Sequence, residues 1–251
     1  MKKFFLFALV LFFAVSIFAQ DKVTVAVAAN MQYPMNALKE KFEQETGIKI
    51  EVILSSSGKL TQQIQEGAPY DVFVSADTSY PQTLYRNKFA TTAPQVYAKG
   101  VLVLWTMNPN IVPSKDLKVL LTENVKKIAV ANPKTAPYGV AAEQIMKHYN
   151  LYDQVKDKLV FGESITQTNQ FITSQSADIG FTAKSVVLSD EMKDKGKWVD
   201  LDLKTYSPIE QAAVVLKHGA ETNKTASEKF YNYLYSKTAK EIFKKFGYLI
   251  K

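Results

Sequence analysis

The sequence predicts an α/β fold in which mainly parallel strands alternate with helices that cover both faces of the sheets. Short apolar runs recur along the chain, and most are followed by a segment whose apolar residues lie three or four positions apart. Several strands also end in a small or polar residue that leads directly into a helix start. Because ligands of open α/β sheets bind beyond such strand ends, we expect a binding site there.

Residues 24–74 contain three predicted strands and two predicted helices. Residues 24–28 are a short apolar run, and residues 48–54 alternate apolar with mostly charged side chains, as a half-buried strand does. Apolar residues at helical spacing predict a helix at about 34–46, which ends at Gly47: Met31, Met35, Leu38 and Phe42. A serine run opens a short helix to Glu66, and residues 70–74 are the third strand.

The rest of the chain continues the same alternation. Mainly apolar runs predict strands at residues 100–105, 127–130, 158–161, 178–182 and 211–216. Helices are predicted at about 138–149, 166–173, 226–235 and 238–246. Pro137 favours a helix start at the first of these helices, and Gly247 favours a helix end at the last.

Composition excludes several classes of site. The 251 residues are enough for one large domain or two ordinary ones. Cysteine is absent, so a lipid-modified cysteine, a thiol nucleophile and disulfide bonds are excluded. The only histidines, His148 and His218, have no ligand partner at metal spacing, so we expect no zinc site.

The first 19 residues resemble a secretory signal peptide. Lys2 and Lys3 precede an apolar run at 4–15, and we expect cleavage after Ala19. The alternative is a retained membrane anchor, but the run is shorter than the roughly 20 residues that span a bilayer. Cleavage would lower the formal charge from +7 to +5 (7 − 2) by removing the two lysines. The remaining lysines are scattered, which favours a weak attraction for anions over nucleic-acid binding.

The serine run at 55–57, followed by Gly58 and Lys59, has three possible interpretations. A helix cap needs only one serine. Ser56 and Lys59 match the S-x-x-K motif of penicillin-binding serine acylases, but the chain does not complete the accompanying S-D-N and K-T-G elements. A group of hydroxyl and N–H donors for an anion remains, since Gly58 permits close approach of the backbone.

Four stretches of the sequence carry a resemblance to a known family. Residues 55–77, SSSGKLTQQIQEGAPYDVFVSAD, resemble the signature of the periplasmic molybdate-binding proteins of ABC importers. Residues 23–52, 128–146 and 239–250 are similar to the opening, the central helix and the last helix of that family. The resemblance therefore covers nearly all of residues 22–251.

The resemblance implies a two-lobed periplasmic-binding-protein fold of type II with the ligand cleft between the lobes. The implied domains are a signal peptide at 1–19, lobe one at 20–99 and 207–251, and lobe two at 100–206. The implied function is capture of molybdate, with tungstate as a further ligand, and delivery to a membrane permease. A monomer in a Gram-negative periplasm, without enzymatic activity, cofactor or nucleic-acid partner, is expected.

The family's ligand positions carry over residue by residue. The resemblance assigns the oxyanion to the Asn30 side chain, the Ser57 hydroxyl and the backbone N–H groups of Tyr138 and Ile165. Asn30 stands where serine is commoner, and Ala183 stands where many members place a tyrosine. Met31 and Ser56 are possible additional donors. No residue is expected to coordinate molybdenum directly, because the metal is held inside its oxyanion.

The assigned positions carry no charged side chain, which suits a fully deprotonated oxyanion. Protonated phosphate would have no acceptor for its proton, a mismatch of a few kcal/mol. Sulfate would have to be rejected by size, and the sequence does not separate molybdate from tungstate. The alternatives are the same fold with another ligand, such as sulfate or ferric ion, and an exported serine hydrolase that uses Ser56 and Lys59.

Three further residues have structural and functional interpretations. Asp71 and Asp77 flank the third strand, where capping or a hinge role is favoured over carboxylate catalysis. Asn223 lies in an N-x-T sequon with Glu221 two residues before it, which matches the acceptor of a few bacterial glycosylation systems. An ordinary surface loop is the favoured interpretation of that sequon.

Overall fold

The chain forms two five-stranded sheets in a computed structural model that describes residues 22–250. The predicted signal peptide, residues 1–19, lies outside the described residues. We call the part of the structure around the first sheet lobe one and the part around the second sheet lobe two. The lobe boundaries given under Sequence analysis stay a prediction. Every helix between residues 22 and 250 is too short or too polar to cross a bilayer.

The sheet of lobe one has the strand order β2-β1-β3-β10-β4. Its strands are β1 (Lys22–Ala28), β2 (Lys49–Ser55), β3 (Val72–Val74), β4 (Gln95–Gly100) and β10 (Ile209–Val215). Strand β1 pairs parallel with β2 and β3, whereas β10 pairs antiparallel with β3 and β4. Four strands therefore run in one direction and β10 runs against them.

The sheet of lobe two has the order β7-β6-β8-β5-β9 and repeats this plan. Its strands are β5 (Leu102–Thr106), β6 (Ile128–Ala131), β7 (Leu159–Gly162), β8 (Ile179–Ala183) and β9 (Lys197–Asp200). Strand β5 is the one that runs antiparallel to its neighbours β8 and β9. The two mixed, mainly parallel sheets confirm the predicted α/β class.

Ten α-helices are described. They are α1 (Gln32–Thr46), α2 (Ser57–Gln65), α3 (Ser79–Arg86), α4 (Pro137–His148), α5 (Tyr152–Val155), α6 (Ile165–Thr173), α7 (Lys184–Val187), α8 (Lys217–Thr222), α9 (Lys224–Tyr233) and α10 (Lys237–Lys245). Short 3-10 turns span Ala29–Met31, Lys118–Leu121 and Lys156–Lys158. Gly47 and Gly247 follow α1 and α10 in the left-handed conformation that their positions predicted, with φ of 73° and 77°.

The expected strand at 100–105 is wrong in one respect. The structure divides it at Val101, because β4 ends at Gly100 in one sheet and β5 begins at Leu102 in the other. The chain thus passes between the sheets in a single residue. The sequence analysis also missed β4 before Gly100 and the short elements α3, α5, α7, α8 and β9, whose few residues carry little periodic signal.

Both faces of the first sheet are covered by an apolar core. Helices α1, α9 and α10 pack on one face, and α2 and α3 pack on the other. Phe42 of α1 is fully buried and meets Phe230 and Tyr233 of α9 edge to face, with ring centroids 5.3 Å and 5.2 Å away. Such edge-to-face pairs stabilise the packing beyond their buried area.

The register of the strands places the candidate site. Strands β1 and β2 pair along seven residues and end side by side at Ala28 and Ser55. Strands β6 and β7 end in the same way at Ala131 and Gly162. Because the chain turns at these ends into helices, the first turns of several helices gather at one edge of each sheet.

We expect Phe42→Ala to lower the free energy of unfolding by about 3–5 kcal/mol, because the change leaves a cavity beside the rings of Phe230 and Tyr233. Urea denaturation followed by circular dichroism measures the change. Val112→Ala is the matched control, since Val112 is 67% exposed, and should shift stability by less than about 0.5 kcal/mol. Equal effects of the two variants would contradict the packing described for α1.

Candidate functional site

A small cavity lies where the strand ends of the two lobes meet. About 200 Å³ of space there is not filled by protein atoms, and this volume includes space open to solvent. Ten residues from both lobes line it: Ala28, Ala29, Asn30, Ser56, Ser57, Ala76, Ala136, Pro137, Tyr138 and Ile165. The structure thus brings together the four residues assigned to the oxyanion, and Ser56 with them.

Asn30 lies in the 3-10 turn Ala29–Met31 that follows β1. Its side chain is 1% exposed, and its Nδ2 donates to Gln211 Oε1 at 2.9 Å and to Tyr248 Oη at 3.0 Å. Its Oδ1 has no hydrogen-bond partner among the described residues. Asn30 is therefore a buried polar residue with one atom left for the cavity.

Ser56 and Ser57 begin α2 directly after β2. The Ser57 hydroxyl accepts a hydrogen bond from the backbone N–H of Ala76 at 3.0 Å, which leaves its own proton free for another acceptor. Ser56 is the N-cap residue, and its buried hydroxyl has no partner among the described residues. The serine run therefore supplies hydroxyl donors to the cavity as well as the start of a helix.

Lobe two contributes the first turns of α4 and α6. Tyr138 is the second residue of α4 and Ile165 is the first residue of α6. First-turn N–H groups have no acceptor within their own helix, and the helix dipole makes this end partially positive. Both backbone groups are therefore suited to an anion in the cavity.

Met31 and Ala183 do not line the cavity. Met31 is fully buried in the apolar core of lobe one. Ala183 is the last residue of β8, fully buried and paired with Leu102 of β5. The nearby hydroxyl of Ser185, in α7, donates to the backbone carbonyl of Asn30 at 2.7 Å.

The lobes are closed on each other around the cavity. The backbone N–H of Gly58 donates to the Thr135 carbonyl at 2.9 Å. A Cβ on Gly58 would lie only 2.9 Å from the Thr135 Cα, so this close approach requires glycine. The Tyr80 hydroxyl donates to the Lys134 carbonyl at 3.2 Å, which adds a second bond across the same gap.

The ten lining residues are uncharged at neutral pH, so the cavity offers dipoles rather than ions. The basic residue next to the serine run, Lys59, forms an ion pair across the lobes with Glu163 at 3.0 Å. Both side chains are at least half exposed, and Lys59 therefore lies at the rim. No group of three or more residues suited to holding a metal ion occurs in the described part of the chain.

Sequence reasoning missed three residues beneath the cavity: Tyr97, Gln211 and Tyr248. The Gln211 side chain is fully buried and bonds Asn30, Tyr97 and the Tyr138 hydroxyl. Burial raises the pKa of Tyr248 to about 12 and the pKa values of Tyr97 and Tyr138 well above their ordinary value. These hydroxyls therefore stay protonated at neutral pH. The sequence signal for this cluster was Gln211, a polar residue in the otherwise apolar strand predicted at 211–216.

Asp71, Asp77 and Asn223 have structural roles. Asp71 is 3% exposed and accepts from the Thr24 backbone, and Asp77 accepts from Ser75 and the Tyr80 backbone. Asn223 Nδ2 donates to the Lys22 carbonyl at 2.7 Å, so its amide is engaged in the fold.

Comparisons of the sequence and of the structure with known proteins indicate the same family. Residues 23–249 match a family model described as bacterial extracellular solute-binding protein. The chain is 38% identical over 228 residues to the molybdate-binding protein ModA of Azotobacter vinelandii, covering 90% of this chain and 89% of the relative.

Two solved structures share the fold. The periplasmic molybdate-binding protein of A. vinelandii superposes with a TM-score of 0.86 and 33% identity, covering 91% of this chain and 99% of that one. The substrate-binding domain of a putative molybdenum ABC transporter from Clostridium difficile superposes with a TM-score of 0.65 and 30% identity, covering 92% and 100%.

Stability should fall with rising pH above the ordinary tyrosine pKa. Because burial raises the pKa of Tyr248 to about 12, the unfolded chain releases this proton first. The stabilising contribution is complete below about pH 10 and is lost between about pH 10 and pH 12. We expect Tyr248→Phe to flatten the decline in unfolding free energy between about pH 10 and pH 12.

Urea titrations at a series of pH values measure this slope. Tyr85→Phe, on a ring that is 40% exposed, is the control and should follow the wild-type curve. A wild-type slope in Tyr248→Phe would show that this hydroxyl does not carry the effect.

Proposed function

Because the chain belongs to the bacterial extracellular solute-binding proteins, and among them to the molybdate-binding proteins, we propose that it captures molybdate and delivers it to the permease of an ABC importer. The composition of the cavity wall carries this proposal. Ten uncharged residues from two closed lobes surround a space for a small ligand, and the polar groups among them include hydroxyls and first-turn N–H groups. Such a wall suits a bare anion whose charge is matched by dipoles.

In the proposed complex, four residues bind the oxyanion. Asn30 and Ser57 bind it from lobe one through their side chains, and Tyr138 and Ile165 bind it from lobe two through their backbone N–H groups. The bond from the Ala76 N–H to the Ser57 Oγ supports this role, because it directs the Ser57 proton elsewhere. Ser56 is the further donor that the cavity favours, since its hydroxyl lacks a partner among the described residues.

In this proposal, selectivity follows from the absence of a carboxylate among the residues that line the cavity. A protonated phosphate would place its O–H against donors, at a cost of about 1–3 kcal/mol for the unsatisfied group. Sulfate carries no proton and is rejected by size in this proposal, since its bonds are shorter. Molybdate and tungstate have nearly the same size, so we propose that both bind.

Transport requires capture and release outside the cytoplasm. We place the protein in the periplasm, after removal of residues 1–19, as a monomer without a cofactor. The closed form would dock on the permease, and opening about the segment at Val101 would release the anion. The bond between Gly58 and Thr135 must break in that opening.

The hydrolase alternative has no support from the described geometry. Lys59, which would have to activate Ser56, pairs with Glu163 at 3.0 Å instead. Relatives of this chain are solute-binding proteins of transport systems.

Titration calorimetry with molybdate, tungstate, sulfate and phosphate tests the proposed function. We expect micromolar or tighter binding of the first two anions only. Ser57→Ala should weaken molybdate binding by about 1–3 kcal/mol, the contribution of a charge-assisted hydrogen bond. Ser55→Ala is the matched control, because Ser55 belongs to the same run but does not line the cavity. Equal losses in both variants would remove Ser57 from the site.

Lys59→Met separates transport from hydrolysis. Since Lys59 is half exposed and paired at the rim, we expect molybdate affinity to change by less than about 1 kcal/mol. The same change would abolish a Ser56 acylase. Labelling of the wild type by a β-lactam probe, lost in Lys59→Met, is the result that would favour the hydrolase.

A further inference from the structure

A fully enclosed polar cluster lies beneath the cavity, and we call it the Gln211 cluster. Its members are Asn30, Tyr97, Tyr138, Gln211 and Tyr248, each at most 5% exposed. Tyr138 comes from lobe two and the other four come from lobe one. The cluster sits under the crossing between the lobes, because a Cβ on Gly100 would lie 2.1 Å from the Tyr138 hydroxyl and 2.5 Å from Gln211 Nε2.

The amide orientations in the structure turn the acceptor of Asn30 away from every protein donor. Gln211 Oε1 accepts from Asn30 Nδ2 at 2.9 Å, and Tyr248 accepts from the same Nδ2 at 3.0 Å. Both amide hydrogens of Asn30 are thereby used within the protein. The atom left for the cavity is Oδ1, a buried acceptor without a partner among the described residues. An acceptor in this position opposes an anion.

The hydroxyl protons of the cluster are distributed unevenly in this arrangement. Tyr97 has one proton but two acceptors in reach, the Ser75 carbonyl at 3.1 Å and Gln211 Oε1 at 2.8 Å. Tyr138 accepts from Gln211 Nε2 at 3.1 Å, a bond that does not use its own proton. The Tyr97 hydroxyl therefore faces two acceptors with one proton, whereas the Tyr138 hydroxyl does not use its proton within the cluster.

Rotating the terminal amides of Asn30 and Gln211 by about 180° exchanges the oxygen and the nitrogen of each amide. This exchange removes the mismatch and leaves the occupied positions unchanged. Gln211 Nε2 then donates to Tyr97 and to Asn30 Oδ1, and Gln211 Oε1 accepts from Tyr138. Tyr97 keeps its proton for Ser75. Tyr248 donates to Asn30 Oδ1, while the backbone carbonyl of Asn30 still accepts from Ser185. In this arrangement the Asn30 NH₂ group faces the cavity.

We propose that Gln211 is a positioning residue for the oxyanion, because its amide, held by the tyrosine hydroxyls, sets which end of the Asn30 amide faces the cavity. The role rests on the proposed function, since it requires an anion beside Asn30. It also links binding to closure, because the bond between Gln211 and Tyr138 joins the two lobes. Burial raises the pKa of Tyr97 and Tyr138, which keeps both hydroxyls neutral and able to donate.

A double-mutant cycle tests the role of Gln211. Gln211→Met keeps the length of the side chain but removes the amide, leaving no donor and only a weakly accepting sulfur. We expect it to weaken molybdate binding about tenfold in the wild-type background, the scale of one misdirected polar group. In an Asn30→Ser background, which has no amide to orient, the same change should cost less than about threefold.

Gln95→Met is the matched control for replacing a glutamine in the same sheet. Gln95 lies on the neighbouring strand β4, and its side chain accepts from Tyr231 rather than from the cluster. It should leave molybdate affinity unchanged. If Gln211→Met does not fold by circular dichroism, Tyr97→Phe replaces it in the cycle and should weaken binding at least about threefold only when Asn30 is present.

The outcomes separate the two claims. Equal losses with and without Asn30, or no loss from Gln211→Met, overturn the positioning role while wild-type binding leaves the proposed function intact. A wild type that does not bind molybdate removes the proposed function first. A loss that depends on Asn30 supports the role of Gln211.

Discussion

A doubly charged anion leaves water only if other dipoles replace its hydration, and this requirement explains the arrangement of the proposed site. The lining residues carry no counter-charge, so individually modest donors must converge on one point. Neither lobe supplies enough of them alone. Lobe one brings a turn and a helix start, and lobe two brings two helix starts. In the proposed mechanism, the lobes therefore close as the anion binds.

The sheets make that convergence possible at little cost. Parallel strands end together, so the chain turns into helices along one edge, and both lobes repeat the plan. A single residue, Val101, connects β4 to β5, which brings the edges of the two sheets together. The reversed strands β10 and β5 belong to the same design, because each flanks a crossing between the sheets.

The sequence revealed the parts of this plan that depend on local chemistry. The spacing of Leu38 and Phe42 and the stop at Gly47 indicated α1, and the serine run indicated a donor-rich helix start. The strand end at Asn30 and the helix starts at Tyr138 and Ile165 indicated where a ligand would bind, but the assignment of these residues to the oxyanion came from resemblance.

Residues whose role depends on distant partners remained hidden from sequence reasoning. Gln211 stands 114 residues from Tyr97 and 73 residues from Tyr138 along the chain, so its bonds exist only in the folded molecule. A polar side chain in an apolar strand signals a buried partner without naming it. The apolar pattern alone placed residues 100–105 in one strand for a related reason, because apolar residues continue across Val101 and only the change of sheet distinguishes its two sides.

The bond between Gly58 and Thr135 gives the closed form an unusual kind of robustness. Both of its atoms belong to the main chain, so its acceptor survives replacement of the Thr135 side chain by any other. Only the donor side is vulnerable, because a side chain at Gly58 would act as a wedge against the opposite backbone. Substitutions can therefore change the rim extensively, provided that residue 58 stays glycine.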